Sequence, residues 1–296
     1  AQTMIVCCAV CGGIWVQAAA QARIAAGVRG NAAQERLGKA LLAVDDDLRR
    51  QRQSVGELKE HTRPGVALRW LAFRIMLPLG DTVRLHRRPH AVYAIIALNV
   101  VAFVLELGAH ERIGGAFVRW GLRPAVLLGG GHGWTLLTHQ FLHAGLGHLA
   151  GNMLFLLVFG KAINAWLGQV RFTLFYCCTG ALAALAHAAL QAHSLVPCVG
   201  ASGAIAGVMG AYFVRHPLAQ IRVLVGTRIV LVPAAAFLAL WLFYQGAYAF
   251  ASAGGSIAFG VAWYAHLGGF AAGALLALLT SGGQTEEETK MLKMQQ

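Results

Sequence analysis

Six apolar stretches, separated by one long connection and four short ones, dominate the chain after its first third. A helix needs about 20 apolar residues to cross a bilayer, and most of these stretches approach that length. The pattern therefore predicts six membrane-spanning helices, numbered one to six along the chain. The predicted spans cover residues 91–108, 148–167, 171–190, 202–214, 229–251 and 264–280.

Composition supports this interpretation. Of the 296 residues, 57% are hydrophobic and only 12% are charged, with a mean hydropathy of +0.60. A soluble domain usually has about 25% charged residues. We therefore expect an all-α polytopic membrane protein built as a six-helix bundle.

The net charge of +12 first suggests a nucleic-acid partner, but the placement of the basic residues favours a lipid bilayer. Lys and Arg cluster on the connections of one side, whereas connections 191–201 and 252–263 contain neither. The one exception is the first external connection, which contains Arg112, Arg119 and Arg123, but it is long, and long loops tolerate charge better. The positive-inside rule then places both termini in the cytoplasm. The basic residues on the predicted cytoplasmic side include Arg84, Arg87, Arg88, Lys161, Arg171, Arg215, Arg222 and Arg228.

The segments outside the bundle differ in character. Residues 1–63 are predicted to form an N-terminal cytoplasmic accessory segment, largely helical, and residues 64–88 an interfacial juxtamembrane segment with a helix over 66–79. The bundle takes up 89–281, and 282–296 form a flexible tail. Whether residues 1–63 bind metal through Cys8 and Cys11, lipid or protein stays open.

Span four is the shortest predicted span and begins with Ser202. Its 13 residues make about 20 Å of helix, less than the roughly 30 Å hydrocarbon core. Because Arg215 fixes the lower end at the cytoplasmic face, we expect Ser202 to lie roughly 10 Å below the outer surface. Residues 191–200 should then dip inward and line a wet recess.

Polar residues at membrane depth indicate a candidate functional site. No Asp or Glu occurs between Arg112 and Thr285, yet Ser202 and His266 lie in apolar stretches. A serine and a histidine without a carboxylate indicate a two-residue nucleophile–base pair, with the imidazole oriented by packing. The helix N-terminus at Ser202 offers free N–H groups for an oxyanion.

Small residues form one face on span four and another on span six. Such faces let two membrane helices approach closely, which would bring Ser202 to His266. Ordinary helix packing is the alternative explanation for these glycines. The residues concerned are Gly203 and Gly207 on span four and Gly269 and Gly273 on span six.

Further histidines occur on the predicted outer side. His148 and Asn152 are spaced i, i+4 at the start of span two, so both can donate hydrogen bonds to an oxyanion. His139 and His143 share that spacing in the long connection 109–147, which we expect to lie half in the membrane. A catalytic metal site usually needs a third ligand, often a carboxylate, so a structural role is favoured for these two.

The residues singled out here resemble those of the rhomboid family of intramembrane serine proteases, over about residues 85–281. The resemblance is carried by three motifs: Gly200-x-Ser202-Gly203, Ala265-His266-x-x-Gly269-x-x-x-Gly273 and His148-x-x-x-Asn152. Trp134, His139 and His143 fall where the family's first loop carries Trp and His. Two positions depart from the pattern: Thr135 stands where many members have arginine, and Ala206 where some have tyrosine.

The resemblance implies an endopeptidase that cleaves transmembrane segments of other membrane proteins without a cofactor. It also implies substrates with small or helix-weakening residues near the outer face, and a multi-pass protein of a bacterial inner membrane. Three other functions remain open: a catalytically silent rhomboid-like protein that binds and escorts membrane clients, a transporter or channel, and a metal enzyme. The metal enzyme would use His139, His143 and His148.

Overall fold

The computed structural model describes residues 5–7, 14–16, 77–108, 113–253 and 262–281. The chain divides into two compact units, Ala1–Trp70 and Leu71–Gln296. In the first unit, strands β1 (Ile5–Cys7) and β2 (Ile14–Val16) pair antiparallel, with Ile5 opposite Val16. Several predictions concern residues outside the described ranges. They are the accessory helices, metal binding by Cys8 and Cys11, the tail 282–296 and most of the juxtamembrane segment.

The second unit is mostly helical, as predicted. In the described part of the chain, five helices are long and apolar enough to cross a membrane. They are α1 (His90–Gly108), α5 (Leu146–Leu167), α6 (Gln169–Leu190), α8 (Ala234–Ala253) and α9 (Trp263–Ser281). Helix α7 (Ser202–Arg215) corresponds to predicted span four and has only 14 residues. Three short helices precede α5: α2 (Ile113–Trp120), α3 (Pro124–Leu128) and α4 (Thr135–Thr138).

The helical bundle also carries a three-stranded antiparallel sheet, so the all-α prediction was incomplete. Its strands are β3 (Leu77–Asp81), β4 (Gln220–Val225) and β5 (Arg228–Pro233), in the order β3-β4-β5. The interfacial helix predicted over 66–79 was therefore wrong at its end, where β3 begins. Span five was also started too early, because residues 229–233 belong to β5.

The local sequence explains this sheet. Strand β4 alternates buried Ile221 and Val223 with exposed Arg222, which is the pattern of a strand with one face on a core. A tight turn containing Gly226, at φ +61°, reverses the chain into β5. Pro233 ends β5, an edge strand, where the missing N–H of proline is tolerated.

Helix α7 lies at the centre of the bundle, and its residues from Gly203 to Tyr212 are all buried. It packs most extensively against α9 and also against α6 and α5. A Cβ atom at Gly269 would overlap the carbonyl oxygen of Gly203, and one at Gly273 would overlap the backbone of Gly207. The two small-residue faces predicted from the sequence are therefore in direct backbone contact, which only glycine permits here.

Helix α6 supports the other side of α7. Added Cβ atoms at Gly203 and Gly207 would meet Ala183 and Thr179 of α6. The Thr179 hydroxyl donates within its own helix and reaches the Ala204 carbonyl at 3.4 Å. A single residue, Gly168 at φ +78°, joins α5 to α6, and its N–H caps α5 by donating to the Asn164 carbonyl at 2.8 Å. Helix α7 is therefore packed between α9 and α6, and Ser202 is its first residue.

Candidate active site

The structure places the side chains of Ser202 and His266 in hydrogen-bond contact. Ser202 is the first residue of α7, and His266 lies one turn into α9. Nε2 of His266 is 2.8 Å from Oγ of Ser202. Both residues are half-buried. A serine hydroxyl facing an imidazole nitrogen at this distance has the geometry of a nucleophile and its general base.

A side chain that the sequence analysis missed holds the other edge of the imidazole. Oε1 of Gln245, on α8, is 2.7 Å from Nδ1 of His266. The ring also contacts two indoles, with centroid distances of 6.0 Å to Trp241 and 6.1 Å to Trp263. The expectation that packing alone orients His266 was therefore incomplete. A glutamine inside an apolar helix was the signal that could have revealed Gln245.

His148 and Asn152, on α5, converge on Gly200, two residues before Ser202. A Cβ atom at Gly200 would lie 3.0 Å from Nε2 of His148 and 3.6 Å from Nδ2 of Asn152. Asn152 is only 9% exposed, and its Nδ2 has no hydrogen-bond partner within the described residues. His148 is exposed. An unpartnered buried donor is costly, which suits a position that a substrate oxygen would fill.

His139 fixes the connection before α5 against the segment that precedes Ser202. Its Nδ1–H donates to the Thr135 carbonyl at 2.7 Å, and its own carbonyl accepts from Gly200 N at 2.8 Å. Burial lowers the pKa of His139 to about 4, so the ring is neutral at pH 7. Through these two hydrogen bonds His139 positions the backbone that leads to Ser202.

His143 is buried without using its ring for hydrogen bonding to the described residues. The side chain is 1% exposed, burial lowers its pKa to about 4, and its ring centroid lies 5.2 Å from that of His148. Its backbone N–H donates to Oε2 of Glu106, a buried carboxylate on α1, at 3.3 Å. Glu106 lies within the first predicted span, and the sequence analysis did not single it out.

Trp134 anchors the same connection at its surface. It is 49% exposed, stacks on His132 at a centroid distance of 4.6 Å and donates from Nε1 to the Arg119 carbonyl at 3.4 Å. Gln140, which the sequence analysis also passed over, is fully buried and donates to the Cys177 carbonyl of α6 at 3.3 Å. The connection is therefore pinned to the bundle by side chains as well as backbone.

Backbone hydrogen bonds join this connection to the segment 191–201. Leu122 and Cys198 exchange two hydrogen bonds, of 3.0 and 2.7 Å, and Ala125 N donates to the Ser194 carbonyl at 3.0 Å. With the bond from Gly200 N to His139, these contacts fix the backbone that enters Ser202. Tyr212 lies near the end of α7 opposite Ser202, where its hydroxyl donates to Oδ2 of Asp81 at 2.7 Å.

Comparison with known proteins identifies the family to which the chain belongs. The sequence model of the Rhomboid domain matches residues 130–283, just over half of the chain. The chain is similar to Rhomboid protease GluP of Bacillus subtilis (strain 168), with 35% identity over 125 residues, 42% of this chain and 24% of that protein. It is also similar to RHOMBOID-like protein 4 of Arabidopsis thaliana, with 30% identity over 163 residues, 54% of this chain and 37% of that protein.

A third relative is RHOMBOID-like protein 6, mitochondrial, of Arabidopsis thaliana, with 38% identity over 82 residues, 28% of this chain and 26% of that protein. The chain thus spans between about a quarter and two fifths of the length of these curated relatives. The matched region contains α4 to α9, and with them Ser202, His266, Gln245, His148 and Asn152. With its several membrane-spanning helices, the chain is a multi-pass membrane protein that belongs to the rhomboid family.

Proposed function

We propose that this protein is an intramembrane serine endopeptidase that cleaves transmembrane segments of other membrane proteins. The observation that carries the proposal is the 2.8 Å contact between Ser202 Oγ and His266 Nε2. His266 takes the hydroxyl proton while Ser202 attacks the scissile carbonyl, which forms a tetrahedral intermediate. His266 then gives the proton to the leaving amine, and a water molecule releases the acyl group from Ser202 in a second, equivalent cycle.

The oxyanion of the intermediate would be held beside Gly200. The unpartnered Nδ2 of Asn152, the exposed ring of His148 and the backbone N–H of Ser202 are the donors for this role. Donors fixed in advance stabilise the charge that develops in the transition state without reorganising. Because Gly200 has no side chain, the space between these donors stays open for the substrate oxygen.

Substrate class follows from the location of the pair. Ser202 and His266 lie at corresponding ends of two apolar helices, so a peptide bond must reach them from within or near the lipid. A helical peptide bond is shielded by its own turn, so a substrate must unwind locally before Ser202 can attack it. Small or helix-weakening residues in a single transmembrane helix lower that cost.

Membrane orientation is part of the proposal. Arg215, Arg222 and Arg228 lie at the end of α7 opposite Ser202 or in the β4–β5 hairpin. By the positive-inside rule, this end faces the cytoplasm, with both termini, and Ser202 faces the outer half of a bacterial inner membrane. Helix α7 then serves as a sixth, shortened span between its longer neighbours.

The test uses purified protein in detergent or liposomes with a single-span helical substrate. Cleavage should disappear in Ser202→Ala and His266→Ala, and a fluorophosphonate probe should label the wild type but not Ser202→Ala. His193→Ala is a control in the preceding loop and should cleave normally. Equal cleavage by Ser202→Ala would refute the mechanism. Client binding without cleavage or labelling would favour the silent escort function instead.

A further inference from the structure

We infer that Gln245 is the positioning residue of the base: its side-chain oxygen holds the proton of His266 on Nδ1 and leaves Nε2 free to accept the proton of Ser202. This inference rests on the proposed function, since it assigns a role within the same site. The geometry is a continuous chain of three side chains from three helices. Gln245 Oε1 lies 2.7 Å from Nδ1, and Nε2 lies 2.8 Å from Ser202 Oγ.

The chemistry of the amide decides which nitrogen is protonated. A neutral imidazole carries one N–H, and its other nitrogen is an acceptor. With Oε1 turned toward Nδ1, as it is in this structure, the 2.7 Å contact places the proton on Nδ1, because an amide oxygen only accepts hydrogen bonds. With the proton on Nε2 instead, two lone pairs would face each other at Gln245, and Ser202 would meet a donor where it needs a base. An amide turned the other way, with its NH₂ group facing the ring, would favour the proton on Nε2.

The burial of Gln245 supports this role. The side chain is only 5% exposed, within a helix that is otherwise long and apolar enough to cross a membrane. Burying a polar side chain there costs free energy unless it has a hydrogen-bond partner, and the oxygen of Gln245 has that partner in His266. Trp241, one turn earlier on the same helix, adds a ring contact with His266 at 6.0 Å.

A neutral amide also suits the charge environment. Proteases with a Ser-His-Asp triad orient the histidine with a carboxylate, but this chain has no Asp or Glu between Arg112 and Thr285. An uncharged acceptor selects the same imidazole tautomer without placing an anion inside the bilayer, where charges are costly. Gln245 therefore provides orientation and tautomer selection, while the imidazolium formed during catalysis gains less electrostatic stabilisation than an aspartate would give.

Two substitutions separate positioning from simple packing. Gln245→Met preserves length and volume but removes the oxygen acceptor, whereas Gln245→Glu keeps a carbonyl or carboxylate acceptor in either protonation state. Gln191→Met, at the end of α6, is the matched control. Histidine labelled with ¹⁵N reports the tautomer directly, and the His266 signal is assigned by its loss in His266→Gln. Cleavage kinetics, fluorophosphonate labelling rates and thermal unfolding are measured on the same samples.

We expect Gln245→Met to lower kcat and the labelling rate roughly 10-fold with little change in KM, as the loss of one buried hydrogen bond implies. Its ¹⁵N spectrum should lose the pure Nδ1–H tautomer of His266. Gln245→Glu should keep that tautomer and cleave faster than Gln245→Met. Gln191→Met should behave as wild type.

An unchanged His266 tautomer in Gln245→Met would overturn the inference, and so would a loss of activity that only follows a loss of folded protein. The spectra do not depend on proteolysis. A wild type that neither cleaves nor labels, but whose tautomer changes in Gln245→Met, would uphold the hydrogen-bond role and refute the proposed function. Normal cleavage by the wild type, together with an unchanged His266 tautomer in Gln245→Met, would uphold the proposed function and refute the role of Gln245.

Discussion

Gly200 lies in contact with His148: a Cβ atom at Gly200 would be 2.8 Å from Cε1 of the imidazole and 3.0 Å from Nε2. Its φ of +127° is a conformation that residues with side chains rarely adopt. The backbone N–H of Gly200 is also bound to the His139 carbonyl at 2.8 Å, so the peptide cannot shift freely. The glycine therefore keeps open the space in which the proposed oxyanion would lie.

Gly200→Ala is expected to damage catalysis more than stability. The methyl group would occupy the space in front of His148 and Asn152, so we expect kcat to fall by about 100-fold or more, comparable to the loss of one oxyanion donor. Cleavage kinetics and probe labelling provide the measurement. Gly151→Ala is the control, because a Cβ there meets nothing within 4 Å. Wild-type kcat in folded Gly200→Ala would show that the oxyanion lies elsewhere.

Asn152→Leu tests the donor that has no partner at rest. The substitution keeps approximate volume but removes Nδ2, so kcat should fall about 100- to 1,000-fold while KM changes little, because the bond forms only in the transition state. Asn164→Leu is a control on the same helix, since Asn164 is also buried with no hydrogen-bond partner for its side chain among the described residues. A rise in KM with unchanged kcat in Asn152→Leu would assign Asn152 to substrate binding instead.

Gly273→Val tests whether the contact of α7 with α9 brings the serine to the histidine. The new side chain would collide with the backbone of Gly207, and overpacking of this kind costs about 1–3 kcal/mol or more. We expect reduced thermal stability and, in the protein that remains folded, slower labelling of Ser202 because the helices are pushed apart. Gly246→Val is the stability control, since a Cβ at Gly246 meets nothing within 4 Å. Wild-type labelling and stability in Gly273→Val would contradict this account of the helix pair.

Sequence reasoning located most of the long helices and the small-residue faces of α7 and α9, because both leave local signals in the chain. Apolar length reports membrane spans directly, and small residues at helical spacing report where two backbones can touch. The contact of Gly269 with Gly203 and of Gly273 with Gly207 follows from that spacing.

The sheet and the polar partners depend on long-range pairing, which the sequence does not display. Strand β5 is a short β-branched run that continues directly into the apolar α8, so hydropathy alone cannot separate them. Gln245 and Glu106 are polar residues within apolar helices, and only the folded arrangement shows that they face His266 and the backbone of His143. Polar residues in predicted spans are therefore worth treating as site candidates even when no motif contains them.

The pairing of Asp81 with Tyr212 predicts a dependence of stability on pH that is separate from catalysis. The Tyr212 hydroxyl donates to Oδ2 of Asp81 at 2.7 Å, and burial raises the pKa of Asp81 above its ordinary 3.8, although Tyr212 and Lys161 oppose the shift. Because the folded protein holds this proton more tightly than the unfolded chain, the contribution of Asp81 to the free energy of unfolding falls as pH rises from about 3.8 through its folded pKa.

Asp81→Asn keeps an acceptor for Tyr212 and removes the ionisation, so its stability advantage over wild type should grow across that range and then level off. Asp81→Ala should instead lose about 1–3 kcal/mol, because it leaves a buried hydroxyl unpartnered. Unfolding of the three proteins in detergent from pH 4 to pH 8 measures both effects, and parallel pH profiles for wild type and Asp81→Asn would show that Asp81 does not titrate differently on folding.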